Sequence, residues 1–142
     1  MLPSPYPVPS LRVWRWAMIL GWLAGAVAGV WVIAYPPRTY EGLGLALTMA
    51  WGGMLALGSG VTLIAHIIRS YQVEIPGLIF ALGGVTIYSY LSWEQTFTGT
   101  WGSGPRALLL VVLACLIVAR IRVLLHIDKE ARARAEMREA IG

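Results

Sequence analysis

The sequence predicts an all-α integral membrane protein with four transmembrane helices, both termini in the cytoplasm and a C-terminal helical extension. Composition is the first reason, because 58% of the 142 residues are apolar and only 13% are charged, whereas soluble proteins carry about a quarter charged residues. The second reason is that the charges are separated by long uncharged intervals. These intervals lack the polar outer face that a soluble helix bundle needs, so the lipid bilayer is their natural solvent.

Three uncharged intervals are long enough to cross a membrane: residues 16–37, 42–68 and 75–93. At about 1.5 Å per residue they reach about 33, 40 and 28 Å, against a hydrocarbon core of about 30 Å. A fourth interval is shorter but continues through Arg120 and Arg122, whose charged groups can extend to the lipid headgroups. We therefore predict membrane helices over 13–35, 40–68, 75–93 and 105–126.

The first helix also carries a pattern typical of a cleaved signal peptide. Residues 26–28 read Ala-Val-Ala, and arginines precede the apolar run. The run continues to Ala34, beyond the length of a signal-peptide core, so we interpret it as a retained helix.

The remaining segments are predicted from their turn residues and charges. Residues 1–12 form a proline-rich cytoplasmic arm, since alternating prolines favour an extended chain, and residues 94–104 form an external loop. Pro76 and Pro105 are expected to begin the third and fourth helices. Residues 127–142 are predicted to be a charged cytoplasmic helix with the acid-first pairs Asp128–Arg132 and Glu130–Arg134.

The positive charges predict the orientation of the helices. Nine arginines and lysines flank one set of helix ends, whereas only Arg38 and Arg106 flank the other. Because positive charge stays in the cytoplasm, both termini are predicted to lie inside a bacterial inner membrane. The net charge of +4 is then an orientation signal, and no nucleic acid is predicted as a partner. The predicted anchors at the membrane interface are Arg12, Trp14, Arg15, Trp16, Arg69, Tyr71, Trp93, Trp101, Arg120 and Arg122.

Small residues recur at four-residue spacing on the first two helices. Gly21, Gly25 and Gly29 form a double GxxxG pattern on the first, and Gly52, Ala56 and Gly60 follow on the second. Such faces let helix backbones approach closely in a membrane. Two interpretations are open, which are packing within one monomer and contact between subunits of a homo-oligomer or with other membrane proteins.

No residue pattern predicts catalysis, a cofactor or a bound metal, so the protein is not expected to be an enzyme. His66 and His126 could be imagined as haem ligands, but they lack supporting spacing, and an interfacial position is the preferred interpretation. Cys115 is expected to be a small apolar filler. A minimal transporter is disfavoured because Glu41, Glu74 and Glu94 all fall at helix ends.

Three short runs carry a resemblance to a known group of proteins. They are residues 36–44 (PPRTYEGLG), residues 69–77 (RSYQVEIPG), and Ile87-Tyr88 before Gly104-Pro105-Arg106. In these runs and in its four-span architecture, the chain resembles small membrane proteins encoded by phages of high-GC actinobacteria. Some members of that group resemble holins, which accumulate in the inner membrane and open it for a lysis enzyme.

The resemblance implies a holin-like oligomer that permeabilises the membrane. The alternative is a non-lytic membrane partner, such as a superinfection exclusion factor or a small subunit of a membrane complex. No site residues are carried over from the group.

Overall fold

The computed structural model describes residues 8–35, 45–99 and 101–141, most of which lie in four long helices. They are α1 (Val8–Ala34), α2 (Leu45–Ile68), α3 (Tyr71–Phe97) and α4 (Gly104–Ile141). A short 3-10 turn, Trp101–Ser103, precedes α4, and the described residues contain no β-strand. The predicted all-helical fold is therefore confirmed.

All four helices are long and apolar enough to cross a membrane. Helices α1, α2 and α3 have 27, 24 and 27 residues, which correspond to about 41, 36 and 41 Å. Helix α4 has 38 residues and a length of about 57 Å. Because that exceeds a hydrocarbon core of about 30 Å, α4 combines a membrane-length segment with the charged extension in one continuous helix.

The chain divides into two compact units, Met1–Ile87 and Tyr88–Gly142, with the boundary inside α3. In the first unit α2 contacts both α1 and the first part of α3. Its buried apolar side chains are Trp51, Ala65, Leu78, Ala81 and Val85. Those of the second unit are Leu91, Ala107, Ile117 and Leu124.

Helices α1 and α4 keep large apolar side chains on the surface. Val30 and Trp31 of α1 and Leu109 and Leu116 of α4 are all more than half exposed. In water each such side chain would forgo about 1.5–3 kcal/mol of burial free energy, whereas hydrocarbon solvates it without that cost. This surface suits a multi-pass membrane protein.

A two-residue link joins α2 to α3. Arg69 has a φ of 59°, and the Ser70 N–H donates to the Ala65 carbonyl over 3.0 Å, as in a Schellman helix end. The Glu74 N–H then donates to the Ser70 carbonyl over 3.2 Å, so α3 begins at Tyr71 rather than at residue 75. Pro76 consequently lies inside α3 instead of starting it, where its missing N–H leaves one helical hydrogen bond unmade.

The other boundaries also differ from the predicted ones. Helix α1 begins at Val8, inside the predicted arm over 1–12, because Pro9 falls in the first turn, where the N–H is not needed. The predicted start of the second helix at 40 and the resemblance run over 36–44 lie outside the described residues. Helix α3 continues to Phe97, into the predicted external loop over 94–104, and Gly99 follows with a φ of 120°.

Candidate functional site

Helices α1 and α2 approach each other closely through small residues. A methyl carbon on Gly29 would lie 2.5 Å from the Ala56 nitrogen and 2.7 Å from the Gly52 carbonyl oxygen. One on Gly52 would lie 3.3 Å from the Gly29 carbonyl oxygen. Because these separations are shorter than ordinary van der Waals contact, both helices need small residues here. Three predicted packing residues, Gly29, Gly52 and Ala56, thus meet within one chain.

Gly25 extends the same contact towards the α2 residue Ser59. A methyl carbon on Gly25 would lie 2.6 Å from Ser59 Oγ. Ser59 is fully buried, and its hydroxyl has no hydrogen-bond partner among the described residues. The hydroxyl oxygen therefore faces the Gly25 backbone, a geometry in which glycine offers at most a weak Cα–H···O contact.

The remaining two predicted packing residues do not take part in the contact. No heavy atom lies within 4 Å of a methyl carbon placed on Gly21 or on Gly60, among the described residues and outside each glycine's own helix backbone. Gly21 is exposed and Gly60 is partly buried. The small-residue stripe of α1 is therefore divided, with Gly25 and Gly29 against α2 and Gly21 outside that contact.

A second small-residue contact joins α2 to α3. A methyl carbon on Gly58 would collide with the backbone nitrogen of Ala81 and lie 2.7 Å from the Gly77 carbonyl oxygen. One on Gly77 would lie 2.8 Å from the Thr62 nitrogen. Helix α2 thus uses different small residues on different sides, one set for α1 and another for α3.

A buried ionisable pair lies where α2 ends and α3 begins. His66 Nδ1 is 3.8 Å from Glu74 Oε1, and the two side chains are only 10% and 6% exposed. The same Nδ1 is 3.2 Å from the Thr62 carbonyl oxygen. Thr62 is fully buried, and its hydroxyl donates to the Gly58 carbonyl over 2.8 Å. Ionisable groups buried in a membrane-length helix bundle are costly, and they commonly mark functional sites.

A second polar cluster surrounds Arg106 in the second unit. Arg106 Nη2 donates to Gln95 Oε1 over 2.7 Å and to Ser103 Oγ over 3.4 Å, and its Cζ lies 5.5 Å from the Tyr88 ring centre. The Nε atom of Arg106 and Oε2 of Glu94 are buried without hydrogen-bond partners among the described residues. Arg106 is therefore held by hydrogen bonds and a cation–π contact and does not extend freely from a loop.

Most of the predicted interface anchors lie towards helix ends, whereas Arg120 and Arg122 lie near the middle of the continuous helix α4. The exposed anchors are Trp14, Trp16, Arg69, Trp101 and Arg122, and the partly buried ones are Arg15, Trp93 and Arg120. The helical backbone includes Arg12 and Tyr71, whose side chains fall outside the described part. Trp93 stacks on Phe97 with ring centres 5.6 Å apart, which combines two aromatic rings into one apolar surface near the end of α3.

The charged extension of α4 forms both predicted acid-first pairs. Arg132 lies 2.8 Å from Asp128, and Arg134 lies 3.4 Å from Glu130. His126 Nε2 lies 3.1 Å from Glu130 Oε1, with a side chain that is 75% exposed. Exposed pairs of this kind contribute little stability, so they indicate a solvated helix face.

Cys115 is exposed on α4, so among the described residues it does not fill a gap as the expected small apolar filler. The wide apolar face of α4 leaves this position on the surface. The described residues contain no group of three or more His, Cys, Asp or Glu side chains that could hold a metal ion. His66 is buried beside a carboxylate whereas His126 is exposed on the extension, so the two histidines have different surroundings.

Comparisons with protein families, curated proteins and solved structures find no match for this chain.

The sequence places His66 and Glu74 near helix ends, but a contact between the two was not predicted. The available signal was the short distance between them along the chain, with only a brief link between two membrane-length helices. Because such a link returns the chain directly, the last turn of α2 and the first turn of α3 must lie side by side. The contact of Arg106 with Gln95 has no comparable signal in the sequence, because neither the spacing of apolar residues nor the distribution of charges pairs these two residues.

Proposed function

We propose that the protein is a multi-pass protein of the bacterial cytoplasmic membrane with both termini in the cytoplasm. The four apolar helices support the membrane assignment, and the nine-to-two distribution of arginine and lysine supports the orientation. A reporter fused to either terminus tests this topology. Activity of a cytoplasmic reporter at both ends is expected, and periplasmic activity at either end would contradict it.

Within this membrane, the proposed function is a non-enzymatic, holin-like one, in which copies of the chain associate laterally and permeabilise the bilayer for a lysis enzyme. The observation that carries the proposal is the free half of the α1 stripe. Gly21 is exposed and has no neighbour within 4 Å of an added methyl carbon, so another helix can approach it closely. The proposed lateral contact is therefore centred on Gly21, in a helix that otherwise exposes large apolar side chains.

A second candidate is a non-lytic membrane partner, such as a superinfection exclusion factor or a subunit of a membrane complex. The packing of Gly25 and Gly29 against α2 favours it, because these glycines already serve the monomer. A lytic rearrangement that used them would first have to separate α1 from α2. A membrane partner needs no such separation.

Controlled expression in a bacterium distinguishes these functions. Membrane potential and culture density are followed with and without a co-expressed endolysin. Abrupt depolarisation, followed by lysis only when endolysin is present, is expected for the holin-like function. Continued growth with an intact potential would contradict it, and resistance of those cells to phage infection would favour the non-lytic partner.

A pair of substitutions tests the contact assigned to Gly21. Gly21→Leu should change the time of depolarisation, because leucine blocks close approach of a second α1. Gly53→Leu is the matched control, since Gly53 of α2 also has no neighbour within 4 Å of an added methyl carbon. Equal timing in Gly21→Leu and the unsubstituted chain would rule out this contact. Gly25→Leu is unsuitable because its side chain would collide with Ser59.

A further inference from the structure

The surroundings of His66 determine which ring nitrogen carries hydrogen. Two groups face Nδ1, the Thr62 carbonyl oxygen at 3.2 Å and Glu74 Oε1 at 3.8 Å. A backbone carbonyl accepts hydrogen bonds and never donates them, and an ionised carboxylate is likewise an acceptor. The hydrogen of the neutral imidazole therefore belongs on Nδ1, which leaves the lone pair on Nε2.

We propose that His66 and Glu74 form a proton-binding site, in which the Thr62 carbonyl and the Glu74 carboxylate orient the imidazole and Nε2 takes up the proton. In this step a proton from water forms the Nε2–H bond, and the neutral imidazole becomes an imidazolium. Glu74 is a positioning residue. Histidines that bind protons or metals are commonly oriented in this way, with the second ring nitrogen donating to a carboxylate or carbonyl.

Burial strengthens the interaction between the Glu74 carboxylate and the His66 ring. The His66 and Glu74 side chains are 10% and 6% exposed, so little water lies between them to weaken their interaction. Among the described side chains of the first unit, the other fully charged groups are Arg15 of α1 and Arg69 of the link. Glu74 is the group within ion-pair distance of His66, and Arg69 points into an exposed position.

The link between α2 and α3 holds the two side chains in register. The left-handed Arg69 and the Ser70-to-Ala65 hydrogen bond reverse the chain within two residues. His66 and Glu74 consequently face each other across the last turn of α2 and the first turns of α3. The site lies at this end of the helices, where a proton can arrive from the aqueous side of the link. It depends on neither the holin-like function nor its alternative.

Nitrogen-15 NMR of the full chain tests the proposal directly. The chain has two histidines, so ¹⁵N-histidine labelling in detergent micelles produces two sets of ring signals, which His66→Asn and His126→Asn assign. We expect neutral His66 to be the Nδ1–H tautomer and to gain its second proton on Nε2. His126 is the internal comparison, because its Nε2 faces Glu130 and its preferred tautomer is the opposite one.

Substitution of the carboxylates completes the test. In Glu74→Gln the neutral His66 ring should show a smaller population of the Nδ1–H tautomer, because the carboxylate that faces Nδ1 is lost, while the tautomer of His126 stays unchanged. Glu74→Asp should restore part of the loss. Glu130→Gln, the matched control, should alter only the His126 signals.

Three results would overturn the proposal. They are an Nε2–H tautomer for neutral His66, an Nδ1–H population that Glu74→Gln leaves unchanged, and His66 signals that change as much in Glu130→Gln as in Glu74→Gln. The tautomer is measured on the unsubstituted chain, so this part of the test holds even if Glu74→Gln fails to fold. Helix content by circular dichroism and unchanged His126 signals establish whether each variant is folded.

Discussion

The backbones of Gly29 in α1 and Gly52 in α2 face each other so closely that a methyl carbon on Gly29 would lie 2.7 Å from the Gly52 carbonyl oxygen. Neither helix can shift to admit a side chain without losing the neighbouring contacts at Gly25 and Ala56. In a membrane, where burying apolar surface between helices provides little driving force, this close packing is what stabilises the α1–α2 pair.

Gly29→Ala should therefore destabilise the protein, whereas Gly21→Ala should leave its stability unchanged or raise it by up to about 1 kcal/mol, because alanine favours a helix more than glycine does. The added methyl group at position 29 meets three backbone atoms of α2, and overpacking of this kind costs about 1–3 kcal/mol. Unfolding by sodium dodecyl sulfate in mixed micelles, followed by circular dichroism, measures the difference. Equal midpoints for the two variants would contradict the α1–α2 contact.

Gly58→Ala should loosen α3 from α2, while Gly60→Ala should not. The methyl group at position 58 collides with the Ala81 backbone, and nothing lies within 4 Å of one at position 60. Hydrogen–deuterium exchange should be faster in peptides covering residues 71–87 of the Gly58→Ala variant. Unchanged exchange there would show that α3 does not pack on Gly58.

Ser59→Ala should leave stability unchanged or raise it by up to about 1 kcal/mol, because burying a hydroxyl without a hydrogen bond is unfavourable. The same unfolding assay measures this change. Thr62→Val is the comparison, since it removes a hydroxyl that donates to the Gly58 carbonyl and should lower stability. A loss above about 1 kcal/mol in Ser59→Ala would indicate that the hydroxyl has a partner, such as a buried water.

Arg69→Gly should stabilise the protein by about 1 kcal/mol, because a left-handed conformation costs roughly that much for a residue with a side chain. Arg122→Gly is the matched control, because it removes the same charge but should lower stability. Arg122 lies inside α4, where glycine lowers helix stability by about 1 kcal/mol. Destabilisation by Arg69→Gly would show that the arginine side chain contributes more than its backbone strain costs.

Arg106→Ala should lower stability by about 1.5–3 kcal/mol, the range for a hydrogen bond that involves a charged group. The substitution leaves Gln95 Oε1 without that donor and removes the contact with the Tyr88 ring. Arg122→Ala, at an exposed position, should change stability by less than about 0.5 kcal/mol. Similar losses in both variants would mean that the Arg106 cluster is not structural.

Local sequence signals predicted the helices but not where each helix begins. Pro76 marks a helix start in most contexts, yet α3 begins at Tyr71 because the link at Arg69 and Ser70 reverses the chain earlier. In the same way Pro9 was expected in an extended arm, but it is accommodated in the first turn of α1. Proline excludes few conformations in a first turn, where Pro9 lies, whereas Pro76 lies beyond the first turn because the hydrogen bonds of the link determine where α3 begins.

The sequence by itself determined the helical class, the four membrane-length segments and the charged extension of α4, because these follow from the order of apolar and charged residues along each helix. Only the tertiary structure decided which small residues meet. Gly52 and Gly58 point about 120° apart around α2, at roughly 100° per residue, and nothing in the local sequence states which side faces α1 and which faces α3. The same rotation of α2 brings His66 to Glu74, and it leaves Gly21 of α1 uncovered. Helix rotation is set by the fit of many contacts at once, which is why the short link could indicate that the two helix ends are close but could not show that His66 faces Glu74.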